Sequence, residues 1–85
     1  MTADQLKQKL IPLLQDEVLG AQKYLEMSED FEKCGNEVAA TGFAEAAYDE
    51  FTHAHFMHVM LEEHCVDIPS ELECSLEKLH EMFDK

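Results

Sequence analysis

Apolar residues recur every three or four positions along most of the chain, and two interruptions divide this pattern into three amphipathic segments. In the first segment Leu6, Leu10, Leu13, Glu17, Ala21, Tyr24, Ser28 and Phe31 share one helical face. The second carries a matching stripe of Ala39, Phe43, Ala46, Glu50, His53, Met57 and Leu61, flanked by Ala47 and Ala54. The third is shorter and presents Leu72, Leu76, Leu79 and Phe83. The first interruption is "KCGNE" (33–37), where Gly35 suits the left-handed close of one helix and Asn36 the cap of the next. The second is "CVDIPSELE" (65–73), where Pro69 stops a helix and Ser70 with Glu73 resembles a capping box. These signals predict helices over about 3–33, 37–66 and 71–83 within a single domain covering 1–85. Pro12 either opens the main part of the first helix or kinks it after a short leading one. No strand-like alternation occurs. The predicted class is all-α: an antiparallel hairpin of two long helices plus a short C-terminal helix.

Three residues break the apolar stripes with ionisable groups. Glu50 and His53 are three apart and so share a helical face, and Glu17 occupies the same kind of position in the first segment. A hairpin pivoting near residue 35 sets Glu17 level with His53 and Glu50 level with Ala21. At a rise of about 1.5 Å per residue, the two glutamates then differ in height by about one turn. The small residues Ala39, Ala40, Gly42, Ala44, Ala46 and Ala47 allow the helices to approach closely. Glu17, Glu50 and His53 are therefore expected to point inward and converge.

Charge sharpens the question of what neutralises them. The chain carries a formal net charge of −13, contains no arginine, and has no lysine between Lys33 and Lys78. Such a surface excludes nucleic acid and anionic membranes as partners, both of which need basic contacts. It serves solubility alone or concentrates cations. A carboxylate left unpaired in an apolar seam costs several kcal/mol or gives up its charge by protonation. A divalent cation removes that cost, and carboxylate oxygens with one imidazole suit iron, manganese or zinc.

Length adds a second constraint. An 85-residue chain builds a thin core, so self-association is expected to supply the missing buried area. One hairpin offers two glutamates and one histidine, half of what a pair of metal ions needs. Two hairpins related by a twofold axis offer the di-iron carboxylate set of a four-helix bundle, with a Glu from each of two helices and a Glu-x-x-His from each of the others. No apolar run reaches membrane-spanning length and the amino terminus lacks a signal pattern, so the expected location is cytoplasmic. Cys34, Cys65 and Cys74 form no C-x-x-C pair and match neither a disulfide framework nor a zinc knuckle; they read as reduced thiols.

Two stretches carry a family resemblance: "DEVLGAQKY" (16–24), with Glu17 seven residues before Tyr24, and "YDEFTHAHF" (48–56), with its Glu-x-x-His. Over roughly residues 10–68 the chain resembles the ferritin-like superfamily, particularly half-ferritins such as encapsulated ferritin, with rubrerythrin as a close relative. The resemblance implies a hairpin that dimerises into a ferritin-like four-helix bundle, or assembles into a ring of such dimers. It implies oxidation of Fe(II) by oxygen at a di-iron centre shared between two chains, for iron storage or detoxification. Glu17, Glu50 and His53 would be the ligands and Tyr24 a neighbouring or redox-active group. Encapsulated members reside as cargo inside an encapsulin-type shell, a protein nanocompartment. The alternative activities are a rubrerythrin-like peroxidase and a helical dimer that holds metal without catalysis.

The remaining polar residues read more simply. Asp16 projects about 100° from Glu17, either as solvated surface or as an iron entry point. His55 should face nearly opposite Glu50, whereas His58 flanks the stripe and His64 lies farther along it, as interface histidines or secondary ligands. Met57 and Met60 at helical spacing read as core filler. Glu62, Glu63, Glu71, Glu73 and Glu77 form plain solvated charge or a cation-gathering rim.

Overall fold

In the computed structural model, which describes residues 1–83, α1 spans Ala3–Lys33 as one helix. Its start is fixed by a capping box that the sequence carries as Thr2-x-x-Gln5. The Gln5 N–H donates to Thr2 Oγ1 at 3.1 Å, and the Thr2 N–H donates to Gln5 Oε1 at 2.9 Å. Pro12 lies inside α1 and begins no new helix. Its ring is exposed, on the side where water can serve the carbonyl that loses its helical donor.

The turn after α1 follows the expected chemistry. Gly35 adopts φ 79°, its N–H bonds the Glu32 carbonyl at 3.0 Å, and the Asn36 N–H reaches the Phe31 carbonyl at 2.9 Å. Asn36 then caps α2 (Glu37–Glu63), its Oδ1 accepting the Ala39 N–H at 3.1 Å. Near this tip Ser28 Oγ donates to the Ala40 carbonyl at 2.7 Å, a side-chain tie between the antiparallel helices.

The far end of α2 departs from expectation. The helix stops at Glu63 rather than about 66, because Cys65 turns into the left-handed region at φ 56°. The Cys65 N–H bonds the Glu62 carbonyl and the Val66 N–H the Leu61 carbonyl, both at 3.0 Å. This is the same closing motif as at Gly35, built on a residue with a Cβ. α3 covers Ser70–Phe83, and Ser70 is its first helical residue, so the expected Ser70–Glu73 capping box does not form. The Glu73 N–H bonds the Pro69 carbonyl instead, at 3.0 Å.

All three helices meet in one core. Leu6, Ile11, Leu14, Val18 and Ala21 of α1 pack with Phe51, Ala54 and Leu61 of α2 and with Leu72, Leu76 and Leu79 of α3. At the end of α3, Phe83 stacks on Phe51 with ring centres 4.8 Å apart, and His80 meets the same ring edge-on at 4.9 Å. The result is a rod of 49 × 20 × 17 Å with α3 along one side of the hairpin.

This arrangement turns the apolar stripes from the phase read in the sequence. The positions that bury in α1 are Leu6 and Ala21 of the expected stripe together with Ile11, Leu14 and Val18, the last three one step round the helix from Leu10, Leu13 and Glu17. Leu13 is 49 % exposed, Glu17 and Glu50 are half-buried, and His53 is exposed. The expectation that Glu17, Glu50 and His53 point into the chain's own seam is therefore corrected. They line its edge, on the face away from α3. The cause is α3, which draws the core to its own side of the hairpin. Among the described residues no strand is present, and no helix is long and apolar enough to cross a membrane.

Candidate metal centre

The hairpin register brings Glu17 of α1 against Glu50 and His53 of α2. One ligand atom from each residue lies within 4.8 Å of the other two. The expected pairing of levels holds: His53 Nδ1 is 3.4 Å from Glu17 Oε2, and the Glu50 carboxylate lies over Gly20, beside Ala21. Gly20 eases this approach by a few tenths of an ångström. A Cβ at that position would stand 3.3 Å from Glu50 Oε2. Glycine inside a helix costs about 0.5–1 kcal/mol relative to alanine, so its presence here has a steric use.

Electrostatically the cluster is unfinished. Glu17 Oε2 is sealed from solvent yet accepts no well-formed hydrogen bond, the His53 contact being short enough for an ion pair but not aligned for one. Oxygen of this kind carries a desolvation cost that a donor or cation would remove. Glu50 is pushed from 4.5 up to about 6, chiefly by hydrogen bonding to the Glu17 carboxyl, then by burial and by the Glu17 and Asp49 charges, with His53 acting in the opposite sense. Two carboxylates thus stand together beside an imidazole with no lysine or arginine between them. Metal–ligand bonds of about 2.0–2.2 Å would draw such atoms closer than they stand here, which short side-chain rotations allow. Oxygen-rich donors with a single nitrogen fit iron, manganese or zinc.

Around the cluster the open face stays apolar. Tyr24 lies two turns toward the hairpin tip from Glu17, outside the three-residue group, with its ring 6.0 Å from Phe43. Phe43 in turn stacks on Phe31 at 5.5 Å, and Tyr24, Ala39, Gly42, Phe43 and Ala46 line a shallow groove beside them. Leu10 and Met57 are half-buried at the opposite end.

The other sequence candidates separate from this site. Asp16 is exposed. The half-buried His58 places Nε2 2.8 Å from Glu62 Oε1 within the same helix, and His64 sits at the end of α2 with Nδ1 2.9 Å from the Met60 carbonyl. Met57 packs against the core, as expected of filler. Gly20 was not singled out by sequence, although a glycine three residues after Glu17 in an uninterrupted helix marks a close approach on that face. Comparisons of the chain with protein families, with curated proteins and with solved structures return no match.

Proposed function

We propose that this chain is a ferroxidase built as half of a di-iron carboxylate centre, with a second copy supplying the other half. The observation that carries the proposal is the convergence of Glu17, Glu50 and His53 within 4.8 Å on the open face of the hairpin. Two such faces brought together about a twofold axis would assemble four glutamates and two histidines around one level of a four-helix bundle. The exposed Leu13 and Met27 on the same face, together with the small size of the core, support a partner of the same chemistry.

The substrate is Fe(II), which gives electrons to dioxygen. The rest falls to the chain's own groups. Glu17 and Glu50 concentrate negative charge where a dication is to bind, and a bound cation would favour the ionised form of Glu50 against the rise to about 6. His53 contributes an imidazole nitrogen, its Nδ1 standing 3.4 Å from Glu17 Oε2. Tyr24 and Phe43, in ring contact at 6.0 Å, would exclude water from one flank of the joined faces.

Stopped-flow absorbance tests the reading. Metal-free protein mixed with Fe(II) and oxygen should develop a ferric signal far faster than buffer does, and peroxide in place of oxygen separates ferroxidase from peroxidase behaviour. Native mass spectrometry should find metal loading coupled to even-numbered assemblies. A fully loaded monomer would overturn the shared centre.

A further inference from the structure

The cluster of Glu17, Glu50 and His53 sits halfway along the rod. Glu50 is the middle residue of α2 (Glu37–Glu63), and Glu17 lies one residue from the middle of α1 (Ala3–Lys33). We infer that two copies of the chain pair head to tail through their open faces, about a twofold axis that crosses the helices at this cluster. The inference rests on the reading that a second copy completes the centre, and it adds the direction in which that copy runs.

Three observations carry it. The first is the central position. When the partner is reversed end for end, the clusters meet and the rods overlap along their full length only if the cluster stands at mid-rod. A side-by-side partner, related by an axis along the rod, places no such demand on its height. Full overlap also suffices for a stable pair. A face of 49 × 20 Å offers about 1,000 Å² per chain, above the ~800 Å² that each partner of a standard interface buries.

The second is shape. The contacts of Glu17 with His53 and of Gly20 with Glu50 fix the register of the hairpin. Reversal about the point midway between these two levels sets Leu13 and Met57 of one copy level with Tyr24 and Ala46 of the other. It sets Leu10 and Met60 level with Met27 and Phe43. The half of the face toward the hairpin tip is hollow, because Tyr24, Ala39, Gly42, Phe43 and Ala46 line a groove of about 370 Å³. The other half carries long aliphatic side chains, with Leu13 49 % exposed and Leu10, Met57 and Met60 half-buried. Head-to-tail pairing lays the aliphatic half of each copy on the groove of the other. Side-by-side pairing sets groove on groove and forfeits the contacts across the gap.

The third is the distribution of donors. Glu17 and His53 share one level of the hairpin, and Glu50 stands with Gly20 about 4.5 Å nearer the tip. Head-to-tail pairing gives both levels the same set, Glu17 and His53 from one copy and Glu50 from the other. Side-by-side pairing would crowd both Glu17 and both His53 onto one level and leave two glutamates alone on the next.

The test uses the full chain. Cys34 is exposed at the hairpin tip and takes a nitroxide label once Cys65→Ser and Cys74→Ser remove the other thiols. At about 1.5 Å per residue, head-to-tail pairing sets the two labels about 45–50 Å apart, against about 20–30 Å for side-by-side pairing. Double electron–electron resonance on metal-free and Zn²⁺-loaded protein should find the long distance. Gly42→Leu probes the groove itself, since its added Cβ meets nothing within 4 Å inside the chain. It should leave helix content unchanged and weaken dimerisation at least about tenfold in sedimentation. A label distance in the short range, or a Gly42→Leu dimer as tight as the parent, would overturn the head-to-tail arrangement. Neither readout involves iron, so a short distance leaves the ferroxidase assay to stand by itself, whereas a chain that stays monomeric removes both readings.

Discussion

Replacing Glu50 by glutamine removes a carboxyl whose ionisation the neighbouring Glu17 hinders, and the consequence should be a stabilisation that depends on pH. Glu50 is held at about 6 in the folded chain against 4.5 when unfolded. A folded-state value raised in this way means that the folded protein binds more protons than the unfolded one between those limits. Glu50's contribution is therefore most favourable below pH 4.5 and is lost as pH rises through about 6. Ionising such a group costs the fold about 2 kcal/mol before screening, and for a half-exposed pair about 1 kcal/mol is the realistic net figure. Glutamine keeps the shape, carries no charge, and offers an N–H to the unpartnered Glu17 Oε2. In chelator-treated protein, Glu50→Gln should thus raise stability by about 1 kcal/mol at pH 7.5, about 4–8 °C in midpoint for a domain of this size. Below pH 4.5 the gain should shrink toward zero. Urea unfolding of both proteins across pH 4–8 measures it. Added divalent metal should reverse the order, because only the parent keeps its full donor set. A Glu50→Gln effect that is destabilising at pH 7.5, or equal at all pH values, would refute the account of the paired carboxyls.

Further substitutions probe the same geometry. Glu17→Ala, Glu50→Ala and His53→Ala should each abolish rapid iron oxidation in stopped-flow assays, while His55→Ala, on the other side of α2, should leave the rate within about twofold of the parent. Gly20→Ala should stabilise α1 by about 0.5–1 kcal/mol in thermal unfolding yet weaken iron binding roughly tenfold, since its Cβ would crowd Glu50 Oε2 at 3.3 Å. Cys65→Gly should raise stability by about 0.5–1 kcal/mol, because φ 56° strains a residue with a Cβ; an unchanged midpoint would mean that the turn relaxes without cost.

Much of the fold was legible because its signals are local. The bounds of α1 and the Gly35–Asn36 turn follow from residues that can do little else at those positions. The early end of α2 was not legible, because the usual glycine is missing and Cys65 takes the left-handed conformation under the pull of Val66 and Leu61 packing into the core. The grouping of Glu17, Glu50 and His53 could be read from register alone, since hairpin geometry converts sequence separation into height. Their depth could not. Leu10, Leu13, Leu14, Val18, Ala21 and Tyr24 form an apolar arc wide enough for two interfaces, and periodicity does not say which half the chain buries in itself. That depends on where α3 docks, a contact between residues far apart in sequence. The meeting of His55 with His80 was hidden for the same reason.

The one-sided docking of α3 also bears on the pairing of copies proposed above. A bare hairpin of this composition would be adhesive on both flat sides, and slabs of that kind stack without end, each addition presenting the surface it has just covered. With Leu72, Leu76 and Leu79 laid across one side, that side is spent. The other side, which carries Glu17, Glu50 and His53, stays open. If copies of the chain pair through their open faces as proposed, the short third helix would keep the pair from stacking further on its own side.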